Sequence, residues 1–543
     1  MTVTRAFLED ASFNQSPTFG DIDLFSSDRP LADAARLYGL DAAALSECGR
    51  DYGSSEALEL GRLANENPPR LRTMDGKGNR VDAVEFHPAY HALMAKSIGH
   101  GIHSSAHDGS EIRAPMTRRA MQLYMATQAE SGHLCPITMT HACLGALSAE
   151  PDLLRAWKDK ILSRQYDPAL KPWTAKAGVT IGMGMTERQG GTDVRANISY
   201  AEGKGDHVEI TGHKWFMSAP MCDAFLVLAQ GDGGLTCYLM PRFRPDGSIN
   251  AIRFQRLKDK LGNKSNASSE VEFHGAYATR IGREGQGVRT IIEMVQLTRI
   301  DCAVASAGLM RIALAQAINH IRNRSVFQRR LADQPAMRRV AADLALEQEA
   351  NVALVFRLTH AADQSTDSGE AAWSRLMTPA VKYLVCKAAP AFVYEALECF
   401  GGNGYSEELP MARYYREAPL NPIWEGSGNV MALDVLRAAA RQPDATNEVI
   451  DRLGRIASEV CDTREIVTTL KQTLQSGDAE RRARFSCESL ARLGAVAALV
   501  EAGSPLAGIY AATRLTGAPY AQYGARDIDF QNESKLIERA LAV

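Results

Sequence analysis

The sequence predicts an α+β protein, mostly helical, in which one β-rich block separates helical stretches. Three observations carry that expectation. From Gly178 to about Gly282 short β-prone runs alternate with turn residues, the rhythm of a compact all-β domain. After Gly287 a stripe runs through Val288, Ile291, Val295, Thr298, Cys302, Ala305, Leu309 and Ile312, with only Thr298 polar. Such 3-4-3-4 spacing belongs in a helix bundle. Finally, 543 residues suffice for three or four domains with sizeable cores.

The elements follow in order. The first thirty residues are polar and turn-rich and read as an arm rather than a packed element. Helical patterns appear around Leu58 to Asn65 and Ala89 to Ser97. A Gly/Pro-punctuated stretch from Ser131 to Thr140 reads as a break, and an amphipathic segment runs from Leu153 to Arg164. In the β block, residues His207 to Thr211 alternate and Phe225 to Ala229 is continuously apolar. There Val271 and Phe273 oppose Glu270, Glu272 and His274. Further helices are expected over Ala336 to Ala362, Glu370 to Cys399 and Asn429 to Ala440. Pro443 and Asp444 mark a boundary before a last helical region. The expected domains are 1–177, 178–283, 284–441 and 442–543.

Composition excludes some classes. Hydrophobic residues make up 45% and charged residues 23%, the proportions of a globular chain rather than a disordered one. With 61 basic and 64 acidic side chains the net charge is −3, so no global field attracts nucleic acid and any such contact needs a local patch. Ten cysteines without a C-x-x-C pair suggest free thiols in a reducing compartment. The N-terminus lacks a basic region followed by an apolar core, and no uninterrupted apolar run reaches about 18 residues. The expectation is a cytoplasmic protein without contact to a membrane.

Two segments stand out chemically: MTERQGGTD at Met185 to Asp193 and GHKWFMS at Gly212 to Ser218. Glycines at 190 and 191 let backbone amides approach an anionic ligand. The hydroxyls of Thr186 and Ser218 can hydrogen-bond a heterocycle, and Trp215 and Phe216 offer π faces. Read as residues alone, they are equally an ordinary turn and strand pair. Glu425 likewise reads either as a functional carboxylate or as one at a helix start.

These segments resemble the flavin-binding strands of the acyl-CoA dehydrogenase family, M-T-E-x-x-x-G-S-D and K-x-W-I-T/S. Three more motifs follow in order: Arg324 and Phe327 with Gln334, the loop Gly401-Gly402-Asn403-Gly404-Tyr405, and Trp424-Glu425-Gly426-Ser427. Thr192 stands where the family has serine, Phe216 where it has tryptophan, and Glu398 where many members have glutamine. Longer matches at Glu56 to Asn65, Phe86 to His91, Cys135 to Thr140, Leu257 to Ser268 and Ile423 to Asn429 resemble the alkylation-response, AidB-like branch of that family. Chains of that branch also carry a C-terminal helical extension.

The resemblance implies an N-terminal helical domain, a central β domain, a C-terminal four-helix bundle and an extra C-terminal helical region. It implies FAD held without a Rossmann fingerprint, its ring between the β domain and the bundle. No G-x-G-x-x-G is present. The implied cofactor contacts are Met183, Met185, Thr186, Gly191, Thr192, Phe216, Ser218, Arg324, Phe327, Gln334, Gly401, Gly402, Trp424, Gly426, Ser427 and Asn429. Of these, Arg324, Phe327 and Gln334 would act across a dimer interface. Glu425 is implied as the base that removes an α-proton from an acyl-CoA, with its own N–H donating to the thioester oxygen.

The same resemblance implies a homotetramer, a dimer of dimers, that protects DNA against alkylation and binds duplex through the extension. From Arg441 onward there are thirteen basic and fourteen acidic side chains, so the extension is not basic as a whole. Arg481, Arg482 and Arg484 form its dense cluster and are the expected DNA contacts; a solvated helix face is the alternative. Two other readings stay open: a metabolic acyl-CoA dehydrogenase, and a DNA-binding protein with a structural flavin. His100, His103 and His107 share a spacing that suits one helical face. Gly99 and Gly101 weaken that helix and no further ligands complete a set, so no metal is expected.

Overall fold

The computed structural model describes residues 14–107, 109, 113–517, 522–525 and 528–542. Helices and one hairpin come first: α1 (Arg29–Leu37), α2 (Ala42–Gly53), α3 (Ser55–Glu66), β1 (Arg70–Met74), β2 (Arg80–Glu85), α4 (Pro88–Gly99), α5 (Pro115–Ala129), α6 (Leu134–Leu147) and α7 (Pro151–Ile161). Strands follow: β3 (Ile181–Gly184), β4 (Tyr200–Gly203), β5 (Val208–Ser218), β6 (Ala224–Gly231), β7 (Gly234–Pro241), β8 (Ile252–Leu257) and β9 (Ser268–Ile281). The chain then returns to helices. These are α8 (Gly287–Asn323), α9 (Pro335–Asp363) after the short hairpin β10 (Ser325–Val326) and β11 (Arg329–Arg330), and α10 (Ser368–Glu398). The last are α11 (Gly402–Tyr405), α12 (Met411–Glu417), α13 (Gly428–Arg441), α14 (Pro443–Ala457), α15 (Arg464–Leu474), α16 (Ala483–Glu501), α17 (Ala507–Tyr510) and α18 (Phe530–Ala540).

Contacts gather the chain into two compact units. Of the described residues, one unit holds those of Glu56–Pro115 and Ala129–Asp301; the other holds those of Met1–Ser55, Met116–Gln128 and Cys302–Val543. In the first, β3 to β9 form one seven-stranded sheet. Its pairings close on themselves, since β5 meets β9, β9 meets β7, β7 meets β6, β6 meets β3 and β3 meets β5. Closure removes free edges from most of the sheet. Continuous apolar runs sit inside: Ala224 to Ala229 and Met240 are fully buried. Helix α6 packs on β3, where the Ile181 N–H donates to Thr140 Oγ1 at 3.0 Å.

The same unit carries a sealed polar chain. Ser97 Oγ lies 2.8 Å from His133 Nε2, and His133 Nδ1 lies 2.8 Å from Glu130 Oε2. The order is that of a hydrolytic triad. Ser97 and His133 are fully enclosed and Glu130 is 2% exposed, so no substrate reaches it. Glu130 also accepts from Asn65, Ser265 and the Gly132 and His133 N–H groups. Burial pushes its carboxyl up, but His133 and these donors outweigh burial and hold it down at about 2.

In the second unit α10 is central. It packs on α9, α13 and α16, and α9 also packs on α16 and α18. Helices α8 and α10 are long and apolar enough to span a bilayer by composition, which a search for uninterrupted apolar runs misses. Their apolar windows are 94% and 78% buried in the fold. The extension is latched to α9, and through Asp33 to α1, by ion pairs. Arg514 meets Asp343 and Glu347, Arg539 meets Glu349 and Asp33, and Glu533 meets Arg338 and Arg339.

Three expectations need correction. The first thirty residues are not simply an arm: Leu24, Phe25 and Asp28 are buried. Asp28 caps α1 and accepts from Tyr124 Oη at 2.7 Å and Arg311 Nε at 2.8 Å, a pairing across remote segments that local polarity hides. Residues 1–13 of the expected arm lie outside the described residues, as does Arg526 of the extension. The expected break at Ser131 to Thr140 is largely helical, because Pro136 falls in the first turn of α6, where its missing N–H costs nothing. The hairpin β1–β2 interrupts the expected all-helical N-terminal region; its turn, Asp75 to Asn79, is held by Asp75 accepting from Lys77 and Asn79.

Candidate active site

The motif residues fall into two groups, one in each compact unit. The first sits where β3 ends beside β5, with Gly184 opposite Met217 and the Trp215 N–H donating to the Thr186 carbonyl at 2.8 Å. Strand alternation sends Ile210 and Lys214 inward, and a bulge between Lys214 and Met217 brings Met217 inward as well. Phe216 stays 50% exposed, and Ser218, half-buried, lies with Oγ 3.2 Å from Ser268 Oγ. Met183, Met185 and Thr186 are half-buried, and Gly191 and Thr192 are exposed. A Cβ at Gly191 would meet Thr186 Oγ1 at 2.6 Å, so glycine lets the turn fold onto that hydroxyl.

What holds this edge is a pair that residue-by-residue reading overlooks. Lys214 Nζ lies 2.6 Å from Glu187 Oε1, both side chains fully buried, and also donates to the Leu228 carbonyl at 2.7 Å. Glu187 further accepts from the Ile198 and Ser199 N–H groups and from Gln189. Burial pushes the Glu187 carboxyl up, but the Lys214 charge and these donors prevail and hold it at about 2. Both residues lie inside the two quoted motifs, which was the available signal. Lys258 places its ammonium 3.5 Å from the Trp215 ring centre and 4.5 Å from that of Phe216, a cation–π contact that fixes both rings.

The second group surrounds the turn between α12 and α13. Glu425 is a non-glycine residue at φ +58° and Gly426 follows at φ +108°. The left-handed region costs a β-carbon-bearing residue about 1–2 kcal/mol, so surrounding contacts must impose it. They are present. Lys382 of α10, 1% exposed, donates to the carbonyls of Asn421 at 3.0 Å, Trp424 at 2.8 Å and Gly426 at 2.7 Å. Trp424 Nε1 donates to Asn421 Oδ1 at 2.8 Å, and Asn421 Nδ2 donates to Ser306 Oγ at 3.1 Å. Ser427 precedes α13 and makes no side-chain cap.

The remaining expected contacts lie in the same unit. Arg324 Nη1 donates to the Asn14 carbonyl at 2.6 Å, and Gln334 Nε2 to that of Val326 at 3.1 Å. Phe327 and Gln328 form the β10–β11 turn, both with positive φ, which leaves the Phe327 ring 89% exposed. No atom lies within 4 Å of a Cβ placed on Gly401 or Gly402. Asn429 Oδ1 accepts from Arg484 Nε at 2.7 Å, which joins an expected cofactor residue to an expected DNA residue. Arg481 is exposed near Asp478, and the Arg482 guanidinium lies over the Phe485 ring. His103 Nε2 meets the Ser163 carbonyl and the His107 ring lies tilted 4.8 Å from that of His141; among the described residues no His/Cys/Asp/Glu group could hold a metal.

Comparison with known proteins accounts for this arrangement. The family model of the adaptive response protein AidB N-terminal domain matches residues 14–168. The acyl-CoA dehydrogenase middle and C-terminal domains match 182–276 and 285–440. The chain is 44% identical over 497 residues to AidB of Escherichia coli (strain K12), covering 91% of this chain and 92% of that one. The chain belongs to the acyl-CoA dehydrogenase family. Within the family it is also similar to acyl-CoA dehydrogenase family member 11 of Caenorhabditis elegans, 34% identical over 73% of this chain and 66% of that one. The crystal structure of Caenorhabditis elegans ACDH-11 in complex with C11-CoA aligns with a TM-score of 0.83 at 27% identity, covering 98% of this chain and 93% of that one. The acyl-CoA dehydrogenase fold is therefore established here: helical N-terminal region, β middle domain and helical C-terminal region.

Proposed function

We propose that this protein is an FAD-dependent oxidoreductase that dehydrogenates acyl-CoA thioesters, with Glu425 as base. The observation that carries this reading is the Glu425 backbone, held left-handed inside the family's motif by bonds to both flanking carbonyls. The residues present suit FAD. Thr186 and Ser218 offer hydroxyls, and half-exposed Phe216 and Trp424 offer apolar faces. Gly401 and Gly402 leave backbone open, and the uncapped N–H groups after Ser427 suit a pyrophosphate. Met183, Met185, Gly191, Thr192, Gly426 and Asn429 complete the set, with Arg324, Phe327 and Gln334 acting on a partner subunit's cofactor. Bound FAD supplies the hydride acceptor. Glu425 removes the α-proton while its N–H donates to the thioester oxygen. The C11-CoA bound by ACDH-11 makes undecanoyl-CoA the first substrate to try.

The test is anaerobic bleaching of the purified flavoprotein by undecanoyl-CoA and isovaleryl-CoA. Glu425→Gln is expected to slow bleaching about 10²–10⁴-fold. Bleaching at the parental rate would exclude Glu425 as base.

The match to the AidB N-terminal domain supports a role in the adaptive response to DNA alkylation. Exposed aromatics at Phe327 and Tyr405 suit burial in a homotetramer. All ten cysteines keep their thiols, nine of them buried, in line with a cytoplasmic setting. Duplex DNA would contact Arg481, Arg482 and Arg484; Arg481 and Arg482, which are not tied to Asn429, are the pair to test. Replacing both with alanine should lower the slope of log affinity against log salt by about 2; an unchanged slope would place any DNA contact elsewhere.

A further inference from the structure

The lysine beneath the Glu425 turn does more than fill a hole. An ammonium has three N–H donors, and all three of Lys382 go to main-chain carbonyls: Asn421, Trp424 and Gly426. Two of those carbonyls flank Glu425. The trans peptide between Trp424 and Glu425 carries its C=O and N–H on opposite sides. Fixing the Trp424 oxygen on buried Lys382 therefore aims the Glu425 N–H away from α10. A charged donor also polarises the amide it binds, which makes the N–H at its other end a stronger donor. Meanwhile the Gly426 carbonyl, held by the same nitrogen, keeps the chain from relaxing out of φ +58° at Glu425.

We infer that Lys382 is a positioning residue of the reaction, which orients and polarises the Trp424–Glu425 peptide so that the Glu425 N–H stabilises the thioester oxygen as negative charge develops on it. This rests on the reading of Glu425 as the base. Lys382 touches no substrate; it acts through the peptide. Its effect belongs to the rate of α-proton removal, not to affinity for acyl-CoA, because the developing oxyanion draws on the polarised N–H more than the ground-state carbonyl does.

The experiment compares the parental flavoprotein with Glu425→Gln, Lys382→Met and Lys382→Arg, using undecanoyl-CoA. It reads the dissociation constant, the anaerobic bleaching rate, the infrared stretch of the bound thioester carbonyl, and hydrogen exchange of amides 421–427. Lys382→Met is expected to slow bleaching about 100-fold, the scale of losing one oxyanion donor. Affinity should hold within about threefold, the carbonyl stretch should move back toward its value in water, and amide exchange should rise. Lys382→Arg, which keeps a charged donor, should recover most of the stretch and the rate. If Lys382→Met does not fold, Lys382→Gln against Lys382→Arg carries the same comparison, and the charged variant should be the faster. A rate within threefold of the parent with an unmoved carbonyl stretch overturns the role of Lys382, as does equal loss in the charged and uncharged variants. Bleaching by Glu425→Gln at the parental rate, or none by the parent, overturns the reading of Glu425 instead.

Discussion

Two buried lysines anchor the two halves of the motif set, and they are neutralised differently. Lys214 faces a carboxylate, Glu187, inside the β barrel, while Lys382 faces three carbonyls under the Glu425 turn. In the first arrangement the charges cancel and the result is rigidity: Thr186 and Trp215 are held in register. In the second the positive charge is solvated by peptide dipoles, and its field remains available to the turn it holds. A buried cation paired with an anion builds a scaffold, whereas one paired with main-chain oxygens shapes the chemistry of those peptides.

That contrast can be broken by mutation. Lys214→Met leaves Glu187 buried without its counter-charge and should cost about 3–5 kcal/mol, the largest effect expected. Calorimetric unfolding would show it, and the double change Lys214→Met with Glu187→Met should recover most of the loss. A single change that leaves the melting temperature in place would contradict the scaffold role. Next comes pH. The Glu187 and Glu130 carboxyls titrate at about 2 when folded, against an ordinary 4.5. A depressed carboxyl stabilises the fold above its unfolded value and ceases to do so as pH falls through the folded one. Denaturant midpoints should therefore be level above about pH 5 and fall steadily between about 4.5 and 2. A flat profile there would remove both carboxylates from the stability argument. The smallest stability effect is expected at Lys382→Met. It leaves neutral carbonyls of half-buried residues, which water can reach, rather than a charge sealed in the interior, and a loss as large as that for Lys214→Met would erase the distinction.

Much of this fold was legible because periodicity survives burial. The stripe from Val288 to Ile312 is nearly all interior, and the helix expected over Ala336 to Ala362 spans Pro335–Asp363. The strand around Val271 and Phe273 turns those side chains inward and leaves His274 exposed. What sequence reading missed are relations between distant residues. Asp28 looks like a loop aspartate until Tyr124 and Arg311 reach it. Likewise Glu187 and Lys214 are quoted in separate motifs, and only strand pairing brings them to 2.6 Å. Lys382 sits in an apolar run, where a lysine reads as an exposed face. The φ of Glu425 has no sequence signature beyond the glycine that follows it.

The salt links between the extension and α9 carry a practical warning. Asp343 and Glu347 are buried against Arg514, and Glu349 is buried against Arg539. Clipping the chain after Arg441 would strand these acids in the interior, and the remaining protein would suffer whether or not the tail ever meets a nucleic acid. Charge reversal at solvent-facing arginines is the cleaner genetic tool for asking what the tail is for.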